Sequence, residues 1–150
     1  MEGLDRDDVE EGIRQLLSNL ENAWSAGDAR AWVAEHAWHC VVINMLGQQL
    51  AGYEENERWH AEMFTGVLRG SRLRIAIERV RYPNSSNVTA VVDATATLSA
   101  YRTLPAGVQD GGSGTLHLIT RFVLEHAHVR PPGYARWWST YLQMQPILGR

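Results

Sequence analysis

The apolar residues of this chain repeat with two different periods, and the change falls at Gly70. Before it, hydrophobic side chains recur at three- and four-residue steps, the spacing that lays one stripe along a helix. After it they alternate with polar ones, the spacing that gathers them on one face of a strand. A chain written helices first and strands second folds as an α+β domain, because its helices must find their apolar partner on a sheet made from later residues. With 150 residues, 45% of them hydrophobic, it is long enough for one core and too short for two. Residues 1–150 are therefore read as a single domain.

From Asp5 to about Ser25 the stripe consists of Val9, Ile13, Leu16, Leu17, Leu20 and Trp24. Gly27 can close that helix and Asp28 can cap a second, short one running roughly from Asp28 to His36, with Trp32 and Val33 on its apolar side. "WHCVVINMLGQQLAG" reads as a hairpin turning at Gly47. In "YEENERWHAEMFTGVL" one helix face holds Asn56, Trp59, His60, Met63, Phe64 and Val67, and the other holds Glu54, Glu55, Arg58 and Glu62. Four strands follow: "SRLRIAIERVRY", "VTAVVDATATLSAYR", "TLHLITRFVLEHAH" and "RWWSTYLQMQPI". Consecutive strands usually pair, so the expectation is a curved antiparallel sheet, made mainly from residues 71 to 147, wrapped around three N-terminal helices. The inner face of its second strand, Val88, Ala90, Val92, Ala94, Ala96 and Leu98, is half alanine and leaves space for a cavity. Trp24 and Trp32 would wall or lid that cavity, or else simply pack the helix pair on the sheet.

Composition removes several functions. The net charge of −3, with arginines scattered rather than clustered, argues against a nucleic-acid partner. Every basic side chain is an arginine, which rules out a lysine Schiff base. The lone Cys40 sits in an apolar run, excludes an internal disulfide framework and thiolate zinc, and fits a reducing compartment. The acidic start "MEGLDRDDVEE" is unlike a secretory leader, and no apolar run approaches the ~18 residues of a membrane span. A cytoplasmic protein without membrane contact is expected. His126-x-His128 and His36-x-x-His39 each lack a third ligand, so no metal is expected, and nothing calls for another cofactor. "DGGSG" lacks the strand-to-helix context of a phosphate loop, and Ser113 is in no nucleophile elbow.

Taken in order, "AWSAGDARAW", "VVINMLGQQLAG", "ERWHAEMFTG" and "RGSRLRI" resemble the SgcJ/EcaC group of SnoaL-like proteins, within the nuclear transport factor 2-like superfamily. The resemblance implies a cone-shaped α+β fold, a deep pocket, homodimers, and a setting in polyketide or enediyne antibiotic biosynthesis. Where that group's last strand commonly ends Gln-Asn-Thr, this chain reads Gln143-Met144-Gln145, so no role of that asparagine carries over.

The residues expected to meet a ligand are Trp24, Trp32, Asn44, Trp59, His60, Met63 and Gln143. His60 could act as acid, base or hydrogen-bond donor, or be a core histidine partnered by a backbone carbonyl. Asn44 could orient a ligand carbonyl or shape the turn at Gly47. Asp93 would be a pocket base only if a bulge changed the phase of its strand; alternation sends it outward with Thr89, Val91, Thr95 and Thr97, as it sends His117 outward. Val91, Ile119 and Val123 on that outer face suggest a homodimer. Two functions fit: an accessory protein binding a hydrophobic polyketide-like intermediate, or a cofactor-independent isomerase, cyclase or dehydratase using acid/base chemistry in the same pocket.

Overall fold

The computed structural model describes residues 5–128 and 135–147. Helix α1 (Arg6–Ser25) starts where the Asp5 carboxylate accepts from the Asp8 amide at 2.9 Å, with Asp7 and Asp8 in the first turn, where the helix dipole favours negative charge. Its whole predicted stripe is buried. Gly27, at φ +66°, closes it, and Asp28 accepts from the Ala31 amide at 3.0 Å to begin α2 (Ala29–Val33). This helix ends earlier than expected. Strand pairing takes over: the Ser139 amide donates to the Glu35 carbonyl at 2.9 Å, and His36 already opens β1 (His36–Ile43).

A turn around Gly47 leads to β2 (Gln49–Ala51) and directly into α3 (Gly52–Thr65). The alternating half forms β3 (Arg72–Arg81), a short turn of 3-10 helix at Pro83–Ser85, β4 (Thr89–Ser99), β5 (Leu116–His128) and β6 (Ala135–Pro146). The strands lie in the order β2-β1-β6-β5-β4-β3, and β3 to β6 form the expected antiparallel meander. The expectation of a wholly antiparallel sheet needs one correction, since β1 pairs with β6 in parallel and the curved sheet is mixed. Parallel pairing requires a long connection, which the intervening helix and four strands supply, but no local pattern announces it.

The β1–β6 pairing carries a large irregularity. Register passes from His36↔Ser139 to Val41↔Tyr141, so Ala37, Trp38, His39 and Cys40 stand against Thr140 alone. Trp38 is pushed out to 62% exposure.

Alternation in β4 is complete: Ala90, Val92, Ala94, Ala96 and Leu98 are buried against the helices, while Thr89, Val91, Asp93, Thr95 and Thr97 face the other way, half-buried. Trp137 of β6 meets α1 at Gly12, where a Cβ would lie 2.5 Å from the indole Cδ1. Only a residue without a side chain allows helix and strand so close. No helix among the described residues is long and apolar enough to cross a membrane.

Candidate functional site

Trp24 and Trp32, delivered by the ends of α1 and α2, meet edge to face with ring centres 5.3 Å apart. Phe64 of α3 approaches Trp24 at 5.0 Å and His60 approaches Trp32 at 4.9 Å. Both indole N–H groups are used inside the protein: Trp24 donates to Ser71 Oγ at 2.9 Å and Trp32 to Asn56 Oδ1 at 3.3 Å. Asn56 in turn donates to Cys40 Sγ at 3.7 Å. With 1% and 0% of their surfaces exposed, the two rings are core residues rather than walls of an open chamber. These large side chains, the stripe of α1 and Ala90 and Ala96 of β4 belong to one buried cluster. The clefts described below all lie elsewhere.

His60 donates from Nδ1 to the Asn56 carbonyl at 2.7 Å, and His36 does the same to the Trp32 carbonyl at 2.9 Å; a carbonyl only accepts, which fixes the proton on Nδ1 in each ring. Burial pushes His60 down to about 3 and His36 down to about 4. Both are neutral, enclosed and partnered, with no access to a surface ligand.

The remaining expected ligand residues are dispersed. Asn44 Oδ1 accepts from the amides of Leu46 and Gln48, each at 3.0 Å, and its own amide donates to Gln48 Oε1; it builds the β1–β2 turn. Met63 is half-buried against the core. Trp59 lines a shallow cleft of about 240 Å³ on α3 with Leu50, Glu55, Arg58 and Glu62. Gln143 lies on the far face of the sheet from the core residues Leu142 and Met144, and accepts from the Tyr141 hydroxyl at 3.0 Å.

The structure instead assembles an apolar cleft of about 430 Å³ from α2 (Arg30, Val33, with Ala34 just beyond), α3 (Tyr53, Glu57) and the start of β6 (Arg136, Trp138). Tyr53 and Glu57 are one helical turn apart and so share a face. The Arg136 guanidinium stacks over the Trp138 ring at 4.5 Å and pairs with Glu35 at 2.5 Å, while the Trp138 indole donates to the Ala127 carbonyl at 3.0 Å. Burial raises the Tyr53 phenol, which stays a neutral hydroxyl at physiological pH. Sequence reasoning missed Tyr53, Arg136 and Trp138; the "RWW" run opening the last strand was the available signal.

A second cleft, about 510 Å³, lies on the face of the sheet away from α1 and contains Asp93. The phase of β4 is as alternation had it, and Asp93 faces outward. Its carboxylate takes Arg121 Nε at 2.8 Å, Arg81 at 3.1 Å and Arg79 at 3.4 Å. The Arg121 hydrogen bond, helped by the other two charges, holds it below the usual carboxylate range. His117 is also outward, 3.3 Å from Thr97 Oγ1. A third cleft of about 450 Å³ follows the 101–112 loop, which folds around Asp110: its carboxylate accepts from the Tyr101 hydroxyl and the amides of Gly112 and Gly114.

Among the described residues no group of three or more His, Cys, Asp or Glu side chains could hold a metal. His36 is buried and His39 exposed, so they do not chelate together. The side chain of His128 lies outside the described residues.

No protein-family model matches the chain, and no curated protein matches it in sequence. Its fold does match solved structures. One is a domain of unknown function with a cystatin-like fold from Nostoc punctiforme, with 21% identity over 97% of this chain and 81% of that one, at a TM-score of 0.73. Another is a nuclear transport factor 2-like protein of unknown function from Shewanella oneidensis, with 20% identity over 91% and 98%, at 0.67. A third is a ketosteroid isomerase-like protein from Erwinia carotovora, with 14% identity over 91% and 95%, at 0.65. At these identities the likeness establishes the fold alone: an α+β architecture of three helices on a curved sheet, like that of these cystatin-like and nuclear transport factor 2-like structures.

Proposed function

We propose that the protein binds a hydrophobic, polyketide-like small molecule as an accessory protein, and that the ligand sits in the cleft between α2, α3 and β6. One observation carries this reading: Val33, Ala34, Tyr53 and Trp138 form apolar walls with Arg30, Glu57 and Arg136 among them, in a volume of about 430 Å³. That combination of apolar lining and a few polar groups, within the usual ~300–1,000 Å³, is what small-molecule sites have. The resemblance to the SgcJ/EcaC group supports the biosynthetic setting. The alternative, an acid/base isomerase, cyclase or dehydratase, draws on the ketosteroid isomerase-like neighbour but has fewer groups to work with: His36 and His60 are enclosed and Asp93 is committed to three arginines, which leaves Glu57 as the carboxylate on the cleft's lining.

The test is a tryptophan-fluorescence titration with anthraquinone-2-carboxylate, a planar tricyclic probe with one charge. Saturable quenching is expected in the unaltered protein. Ala34→Trp places a ring in the cleft from an exposed lining residue without touching the core, and should weaken binding by about tenfold or more, because the ring occupies the apolar walls that the probe would otherwise cover. Failure of the unaltered protein to bind, or equal binding by the variant, would overturn the assignment of this cleft.

A further inference from the structure

The outer face of the sheet holds an unbalanced charge. Strand register brings Arg79, Asp93, Arg121 and Gln143 into one row across β3, β4, β5 and β6, with Ile119 and Gln145 paired in the next. Arg81 reaches the same carboxylate from beyond the bulge in β3. Three guanidiniums therefore share one carboxylate, and with Glu78 also on the lining the cluster keeps an excess of one positive charge in a chain whose net charge is −3. Glu78, on the lining of the same cleft, pairs with none of them among the described residues.

Stability does not account for this arrangement. The arginine side chains are 43 to 64% exposed, where an ion pair contributes little, and crowding three like charges around one acid is unfavourable. Each guanidinium offers about five N–H donors in a planar fork, and Asp93 takes one from each, so most remain for another acceptor. Such forks match the paired oxygens of carboxylates and phosphates, and a concave cationic cleft concentrates anions. The Gln143 and Gln145 amides add neutral polar groups, and Ile119, 58% exposed, offers an apolar contact.

We propose that this cleft binds a small oxyanion of charge −2 or more, a phosphate ester or a polycarboxylate, through Arg79 and Arg121 on its lining, with Arg81 adding its charge from beside them and Asp93 gathering the three guanidiniums. The site is independent of the apolar cleft beside α2. A second copy of the chain, the occupant suggested by Val91, Ile119 and Val123, competes for this face; a contact centred on the cleft would bring one cationic cluster against another, which favours the small anion.

Isothermal titration with pyrophosphate and with citrate, at fixed ionic strength, tests the proposal against acetate as a monovalent control. Saturable binding of either multivalent anion supports it, and which one binds tells phosphate ester from polycarboxylate. The double variant R79Q/R121Q should bind about tenfold or more weakly. R72Q/R74Q removes the same charge from residues outside the cleft and should stay within about twofold, because only distant exposed charges are lost. Should the first double variant not fold, R79Q alone, at a 64% exposed side chain, serves instead. Absence of saturable binding up to millimolar anion, or equal weakening in both double variants, overturns the proposal. So does a dimer mass by light scattering in anion-free buffer that Ile119→Asp converts to monomer, since a second copy would then occupy the face.

Discussion

Lowering the pH should destabilise this protein well before its carboxylates protonate. His36 and His60, both packed against Trp32, are held neutral, down to about 4 and about 3 from an ordinary value of 6.5. Nε2 of His36 is buried and has no hydrogen-bond partner among the described residues, so a proton added there meets no acceptor. Below pH 6.5 the unfolded chain therefore takes up protons that the folded chain refuses, and stability, complete above that pH, falls as the pH drops towards 4 and then 3. At about 1.4 kcal/mol per pH unit for each ring, the loss between pH 7 and pH 5 is about 4 kcal/mol for the two together. That is a large share of the ~5–15 kcal/mol by which domains are stable. Asp93 and Asp110, both held below the ordinary carboxylate value of 3.8, contribute their own loss only at lower pH. Urea unfolding at pH 7, 6 and 5, followed by the fluorescence of the buried indoles, measures the effect. His60→Asn, whose amide can still donate to the Asn56 carbonyl, should be less stable at pH 7 but lose only about 2 kcal/mol on going to pH 5. A change of less than about 1 kcal/mol in the unaltered protein, or an undiminished change in the variant, would refute the reasoning.

Gly12→Ala places a Cβ 2.5 Å from Trp137 Cδ1, so α1 and β6 must separate; a loss of about 1–3 kcal/mol in urea unfolding is expected despite the better helix propensity of alanine. Trp32→Phe leaves Asn56 Oδ1 without its indole donor and trims a fully buried ring, which should cost about 2–4 kcal/mol. Because Trp32 is packed rather than pocket-lining, binding of anthraquinone-2-carboxylate to the folded variant should be unchanged; loss of binding with folding intact would return the indole to a ligand-contacting role.

The helices and the meander were legible because each is encoded by neighbours: three- and four-residue steps in α1, strict alternation in β4, a cap at Asp28. The same alternation placed Asp93 and His117 outward. What the sequence could not show depends on residues far apart along it. Nothing near His36 indicates that this segment is claimed by β6, and the extra residues around Trp38 follow from that pairing alone. The alanines of β4 were equally compatible with a chamber and with large side chains filling the gap; the outcome is settled by Trp24, Trp32 and Phe64 converging from three different helices. By parity Arg79 and Arg81 fall in with Leu73, Ile75 and Ile77, so their arrival beside Asp93 needs the register across strands and the bulge in β3.

The parallel pairing of β1 with β6 has a consequence for synthesis. Val42 pairs with Leu142, 100 positions later, and β6 is the only described strand that links β1 and β2 to the rest of the sheet. A nascent chain that has emerged only as far as β5 thus holds two sets of strands with no pairing between them, the β1–β2 hairpin and the β3–β4–β5 meander. Each set keeps an unpaired edge until β6 arrives. The sheet is completed from its middle and late, at the entropic cost of closing a long loop, and a growing polypeptide depends on protection of those edges during translation. Loss of a terminal strand such as β2 or β3 would shorten the sheet, whereas loss of β6 would cut it in two.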